Sequence, residues 1–235
     1  MCGRFSLTTA PEAMRQLFEF ENFPNLEPRY NIAPTQMVAC IRADEADKRQ
    51  LEFLRWGLIP SWSKDAAMGA KMINARAETV AEKPSFREAF ANRRCLIAAD
   101  GFYEWRQEEG RKQPFRIGMK GGVPFAFAGL WERWTAVVDG AGIAAGETVE
   151  SVTIVTTTAN DNLRPIHARM PVILPPEAYA PWLDAANDRE GLFSLLGPYP
   201  VEPMAFYRVG SAVSNARNDG PDCIAPLKSA VAGGG

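Results

Sequence analysis

The sequence predicts an α+β fold with an antiparallel, open barrel-like β core and flanking short helices. Three observations carry this expectation. Four strand-like segments joined by short polar turns follow one another between residues 94 and 131, with turns such as "EEGRKQ" and "KGGVP" between them. The run "ESVTIVTTT" (150–158) is β-branched and strongly strand-forming. The helical segments are all short, and no repeat or linker divides the 235 residues, so a single domain spanning 1–227 is expected, with 228–235 as a flexible tail.

Taken in order, residues 3–7 read as a strand. Thr9-x-x-Glu12 reads as a capping box opening a helix whose Met14, Leu17 and Phe18 share a face. "PRYNIAPTQ" (28–36) is turn-rich, and Pro34 biases Ala33 toward an extended conformation. Strands are expected at 37–42 and 51–57. The stretch 56–79, "WGLIPSWSKDAAMGAKMINARAET", has no period and is long for a connection, and its aromatics and arginine favour function. Ser85-x-x-Glu88 marks a second helix start, with Phe86, Ala89 and Phe90 apolar. Strands follow at 94–99, 102–107, 114–119 and 125–131, then a Gly- and Ala-rich surface insertion at 136–148. "MPVIL" fits another buried strand, and Pro176 to Leu183 and Asp188 to Leu196 fit short helices.

A formal net charge of −2 and a pI near 5.6 argue against a generally basic, DNA-coating surface. A local groove stays open, because 19 of the 26 basic residues are Arg, whose planar fork suits phosphate. A GC-rich coding sequence would produce the same excess. Cys2, Cys40, Cys95 and Cys223 form no CxxC pair and His167 is the only histidine, so neither a metal nor a cofactor is expected. The start of the chain lacks a signal peptide's basic and apolar regions, and no apolar run approaches ~20 residues, so a cytoplasmic protein with reduced thiols and no membrane partner is expected. No segment matches GxxxxGKS, GxGxxG, GxSxG or HExxH. With no oligomerising stripe in view, a monomer is expected.

Several residues have chemistry to offer and a plainer use as well. Cys2 stands behind an initiator methionine that aminopeptidases remove when its neighbour is small. Once terminal, it carries an α-amine and a thiol on adjacent carbons. Asn74, in "NAR", is either a cap or a site residue. Glu104 shares a strand face with Phe102, with Tyr103 and Trp105 on the other face. A carboxylate beside Phe is desolvated and suited to proton transfer, whereas an exposed strand glutamate would do nothing. His167 lies between two arginines and two prolines in "RPIHARMP", a rigid setting for either a structural or a catalytic imidazole. Trp62 follows a proline in a loop, where it is placed to stack on a base. Trp56, Trp131 and Trp182 fit strands or helices, as packing, and the remaining cysteines fit the core.

"MCG" also opens the class II glutamine amidotransferases, which use a terminal cysteine as nucleophile. The motifs that follow separate the two. Taken in order, "MCGRF", "RYNIAPTQ", "WGLIPSW", "INARAET", "RCLIAADGFYEW", "FAGLW", "IHARMP" and "VSNARNDGP" resemble the signature series of the SRAP family, the abasic-site processing proteins of the DNA-damage response. The resemblance runs from Cys2 to about Pro226. It implies a protein that binds single-stranded DNA and cross-links its mature terminal Cys2 to the ring-opened sugar of an abasic site as a thiazolidine. It also implies peptidase and lyase descriptions, self-removal of Met1, and association with the nucleoid on damage. By motif, Asn74 corresponds to the asparagine that holds the sugar and the cysteine's amino end, Glu104 to the acid/base glutamate, and His167 to the histidine that assists imine formation and reversal. Arg4, Arg76 and Arg169 correspond to phosphate contacts, with Thr156 as a lesser one, and Trp62 and Trp105 to base-stacking and duplex-end residues. The sequence departs from the pattern where the usual proline after "RCL" is Ala in "RCLIAAD", which implies an altered rim. An amidotransferase-like hydrolase and a noncovalent single-strand binding module are the alternatives, distinguished by ammonia release from glutamine and by the absence of any covalent adduct.

Overall fold

The computed structural model describes residues 2–44, 46, 48–140 and 142–227, so the expected tail at 228–235 lies outside the described residues. Along the chain, β1 (Phe5–Leu7) leads into α1 (Pro11–Phe18), followed by β2 (Arg29–Ile32), β3 (Met37–Ala43) and β4 (Arg49–Trp56). A 3-10 segment, Ala66–Lys71, precedes β5 (Asn74–Arg76), and α2 (Arg87–Asn92) precedes β6 (Arg94–Ala99). Next come β7 (Gly101–Glu108), β8 (Arg111–Met119), β9 (Phe125–Thr135) and β10 (Thr148–Thr158). The described chain ends with β11 (Arg169–Pro171), β12 (Ile173–Leu174), α3 (Tyr179–Leu183), α4 (Arg189–Ser194) and β13 (Met204–Arg208).

The fold is α+β, with short helices around a β core. β4, β3, β6, β9 and β10 pair in succession, antiparallel throughout. The ring then closes, because Ser151 and Val152 of β10 take parallel register with Arg55 and Trp56 of β4. Closure removes the exposed edge that an open sheet would leave. A second antiparallel sheet runs β13-β8-β7-β1-β2. Phe5 sits between the two, edge-on to Trp56 (5.1 Å between ring centroids) and to Phe127 (5.6 Å), while Phe102 meets Phe127 at 6.0 Å. Such edge-to-face contacts add about 0.5–1.5 kcal/mol each beyond area burial. Trp56 and Trp182 are buried, and Trp131 lies under the Arg42 guanidinium at 4.3 Å. All four cysteines are buried thiols.

The structure corrects several local expectations. α1 starts at Pro11 with Ala10 as its cap residue and no side-chain cap, because Thr9 Oγ1 donates instead to Asp100 Oδ2 (3.3 Å). α2 starts at Arg87 behind Phe86, so Ser85 does not cap it either. β2 and β5 fall in stretches expected to be loops, and they are strands because tertiary neighbours complete their ladders: β2 on β1 and β5 on β10. "MPVIL" is divided, since Val172 N–H donates to Val155 O while Val172 O accepts from Ala128 N–H, carrying the chain from β10 across to β9. Pro176 to Leu183 divides into a 3-10 turn and α3.

One close approach sets the long 57–73 connection. Gly57 has φ +121°, and a Cβ there would stand 2.5 Å from Gly69 O. Only glycine fits. With Gly57 N–H on Val152 O (2.8 Å) and Leu58 N–H on Met72 O (3.1 Å), the segment is pinned beside β10 just ahead of β5. Among the described residues no helix is long and apolar enough to cross a membrane.

Asp100, in the tight β6–β7 turn, ties down the end of β1. It accepts from Ser6 Oγ (2.6 Å), Thr8 Oγ1 (2.8 Å), the Thr8 N–H and Arg116 Nη2 (2.9 Å), and both ion-pair side chains are nearly inaccessible. Asp100→Ala leaves the Arg116 charge buried and unpaired, and is expected to destabilise the protein by about 3–5 kcal/mol. Urea unfolding checks this as a lower midpoint at unchanged slope.

Candidate active site

The register of β1 on β7 places the beginning of the chain. Phe5 pairs with Phe102, and Tyr103 N–H donates to Arg4 O (3.0 Å), so the residues before Arg4 run alongside Glu104. Glu104 projects to the same side of β7 as Phe102 and is 6% exposed. Burial pushes its carboxyl above the ordinary glutamate range, an effect that His167 partly offsets. Cys2 has no solvent exposure. Burial raises its thiol well above the usual cysteine value, and the neighbouring Glu104 charge raises it further.

β5 brings the third group. Its parallel register on β10, Asn74 beside Ile154, lets Asn74 Nδ2 donate to Cys2 O at 2.9 Å. Asn74 Oδ1 is buried and has no hydrogen-bond partner among the described residues, so an acceptor is held beside the cysteine. His167 comes from the turn ahead of β11, held by Ala159 N–H on Ala168 O (3.0 Å) and His167 N–H on Leu163 O (2.9 Å). Its Nδ1 is 3.0 Å from the Arg169 N–H and 3.1 Å from the Arg169 carbonyl. An Nδ1 that accepts from the first puts the neutral ring's proton on Nε2, and an Nδ1 that carries a proton donates to the second. Four segments that are remote in sequence thus supply a thiol, a carboxyl, an amide and an imidazole to one neighbourhood.

The residues expected to meet DNA are spread more widely. Arg76, exposed on β5, stands beside Thr156 of β10. Thr156 is buried, and its Oγ1 donates to Ala75 O (3.3 Å). Arg169 pairs with Glu78 through Nη1 to Oε1 (2.8 Å) and Nη2 to Oε2 (3.0 Å), and Nη2 also reaches Thr156 O (2.6 Å). Trp62 is 55% exposed, with Nε1 3.4 Å from Pro84 O. Trp105 is half-buried, its Nε1 donating to Ser214 Oγ at 3.2 Å. Arg4 is turned toward other partners: Nη1 donates to Asn31 Oδ1 (2.9 Å) and Val213 O (2.7 Å), and burial lowers its pKa.

Two residues with consequences for this region escaped sequence reasoning. Asn31 is buried in β2, and its Nδ2 donates to the carbonyls of Val213, Asn215 and Asn218, holding the 211–218 segment against β1 and β2. Glu78 grips Arg169. The only sequence signal for Glu78 was its place two residues after Arg76 in "NARAE"; its partner lies 91 residues away. Among the described residues no group of three His, Cys, Asp or Glu stands ready for a metal ion.

Residues 1–216 match the family model described as SOS response associated peptidase (SRAP). The chain is 44% identical over 229 residues to the Bacillus subtilis abasic site processing protein YoqW, covering 95% of this chain and 99% of that protein. It is 29% identical over 271 residues to the abasic site processing protein HMCES of Xenopus tropicalis, covering 97% of this chain and 78% of that one. Among solved structures, a Bacteroides thetaiotaomicron protein superimposes with TM-score 0.84 at 28% identity, over 97% of this chain and all of that one. A Bordetella bronchiseptica protein gives 0.76 at 32% identity, over 89% of this chain and all of that one. With the family match running through the region that contains Cys2, Asn74, Glu104 and His167, the chain belongs to the SRAP family of abasic site processing proteins.

Proposed function

We propose that the chain, once Met1 has been removed by its own site or by an aminopeptidase, binds single-stranded DNA and traps an abasic site as a thiazolidine on Cys2, acting on the nucleoid after damage. The observation that carries this reading is the convergence of Glu104, Asn74 and His167 on the one residue that can present both an amine and a thiol. The freed α-amine, with a reference pKa of about 7.7–8.0, attacks C1′ of the ring-opened sugar and gives a carbinolamine. Glu104, kept protonated to higher pH by its burial, donates its proton to the departing hydroxyl. Water leaves and an iminium remains.

The Cys2 sulfur then adds to the same carbon. A buried thiol whose pKa is raised is a poor nucleophile unaided, so it needs a base at the moment of attack, and Glu104 has just become a carboxylate. The thiol proton returns to Glu104 as the C–S bond closes the ring and the iminium nitrogen becomes a secondary amine. Protons balance, and one water is released. Asn74 holds the Cys2 carbonyl and offers Oδ1 to the sugar or the amine, and His167 moves protons during imine formation and reversal. Run backward, the same groups release the aldehyde, and elimination from the imine gives a lyase outcome. Arg4, Arg76, Arg169 and Thr156 serve the phosphates, and Trp62 and Trp105 stack on bases or a duplex end.

An oligonucleotide bearing one abasic site, incubated with the mature protein, is expected to give a heat-stable shifted band on a denaturing gel, and Cys2→Ala to give none. An equal band from Cys2→Ala would end the assignment. The cross-linking rate should rise with pH as the amine loses its proton, then fall as Glu104 loses the proton it must donate. Glu104→Gln is expected to slow the reaction by at least about 100-fold and to abolish the falling limb. Single-turnover rates across pH check both limbs. Arg76→Ala should weaken binding of undamaged single strands and reduce the slope of log K against log salt by about 1. Titrations at several salt concentrations read this directly.

A further inference from the structure

The Glu78–Arg169 pair has more to do than neutralise two charges. Glu78 sits in the single 3-10 turn Ala77–Thr79, directly after the strand that carries Asn74 and Arg76. Arg169 opens β11, two residues after His167. The two carboxylate oxygens take the two terminal nitrogens of one guanidinium, at 2.8 and 3.0 Å, which is the planar fork that fixes orientation as well as distance. Thr156 O (2.6 Å) and Oγ1 (3.3 Å) hold the same guanidinium from β10. An isolated surface ion pair contributes little. This one is clamped from two sides, by Glu78 and by Thr156, and the backbone of the clamped residue is itself the partner of the His167 ring, with its N–H at 3.0 Å and its carbonyl at 3.1 Å from Nδ1.

We propose that Glu78 is a positioning residue: by anchoring Arg169 it fixes the Arg169 backbone against His167 Nδ1, where the Arg169 N–H selects the Nε2–H tautomer of the imidazole that serves the Cys2 site. The same pair staples the turn after Asn74 to the strand after His167, so the two groups keep their spacing when a strand arrives. A carboxylate beside Arg76 and Arg169 would otherwise be only an obstacle to phosphate. The kinetic side of this proposal rests on the thiazolidine chemistry above, while the tautomer side does not.

Because His167 is the only histidine, its ring nitrogens give an unambiguous 15N NMR signature in the full chain. In alkaline buffer the native protein is expected to show the Nε2–H tautomer alone. Glu78→Ala should shift the signals toward a mixture of tautomers, and Glu78→Gln, which keeps one acceptor oxygen, should fall between. Cross-linking to an abasic oligonucleotide should slow about tenfold in Glu78→Ala and less in Glu78→Gln, with affinity for undamaged single strands unchanged or increased. The backbone amide spectrum of each variant shows that it is folded, and Glu78→Gln carries the test if Glu78→Ala is not. A native tautomer population in the folded variant overturns the proposal. So does a gain in strand affinity with native tautomer and native rate, which would make Glu78 a competitor of phosphate. If the native protein forms no adduct while Glu78→Ala still shifts the tautomer, the positioning role stands and the thiazolidine reading falls.

Discussion

The burial of Phe5 between the barrel and the second sheet is the contact on which the rest of the site depends. A chain terminus is ordinarily the least ordered part of a fold, because few contacts hold it. Here the fifth residue is edge-on to Trp56 and Phe127, and β1 is paired on both sides, with β2 and with β7. The hydrogen bonds of Asp100 then lock the far end of the same strand. Cys2 is delivered beside Glu104 by strand register, and the single bond from Asn74 completes its placement.

β10 organises the other half. Its first half closes the barrel between β9 and β4, and its second half carries β5 on one edge and β11 on the other. One strand therefore positions the asparagine and, through the turn ahead of β11, the histidine. This explains how residues scattered between positions 2 and 167 come into one neighbourhood. It also explains the charge pattern. Most arginines in the described structure are already matched to acids, as Arg29 is to Asp219, Arg42 to Glu52 and Glu150, and Arg133 to Glu150, so the acidic total describes the surface and says little about Arg76 on its exposed strand.

The parts of the fold that were legible in the sequence are those whose signal is local. Alternation and β-branching located β6 to β10 to within a few residues, and the shared side of Phe102 and Glu104 offered a buried carboxylate as one of two readings, the one the fold adopts. The three-residue strand β5 was not legible, because "NAR" becomes a strand only through β10, and "MPVIL" was legible as strand but not as the two short pieces, β11 and β12, into which it divides. The capping patterns at Thr9 and Ser85 misled for a related reason: the Thr9 hydroxyl serves Asp100 and not the helix. Arg4 illustrates the limit for the site. Its motif gave no sign that the fold engages one of its amino groups with Asn31 Oδ1 and Val213 O, partners that no short-range pattern connects to it.

The complete burial of the Cys2 thiol bears on how a reactive group survives in a cell. A cysteine thiol open to solvent exchanges with disulfides, is oxidised and binds soft metal ions. A sulfur that solvent cannot touch, and that burial keeps in its protonated form, is silent to all of them. The fold therefore shields the Cys2 sulfur: a reagent in solution meets the protein's surface before it can meet the thiol.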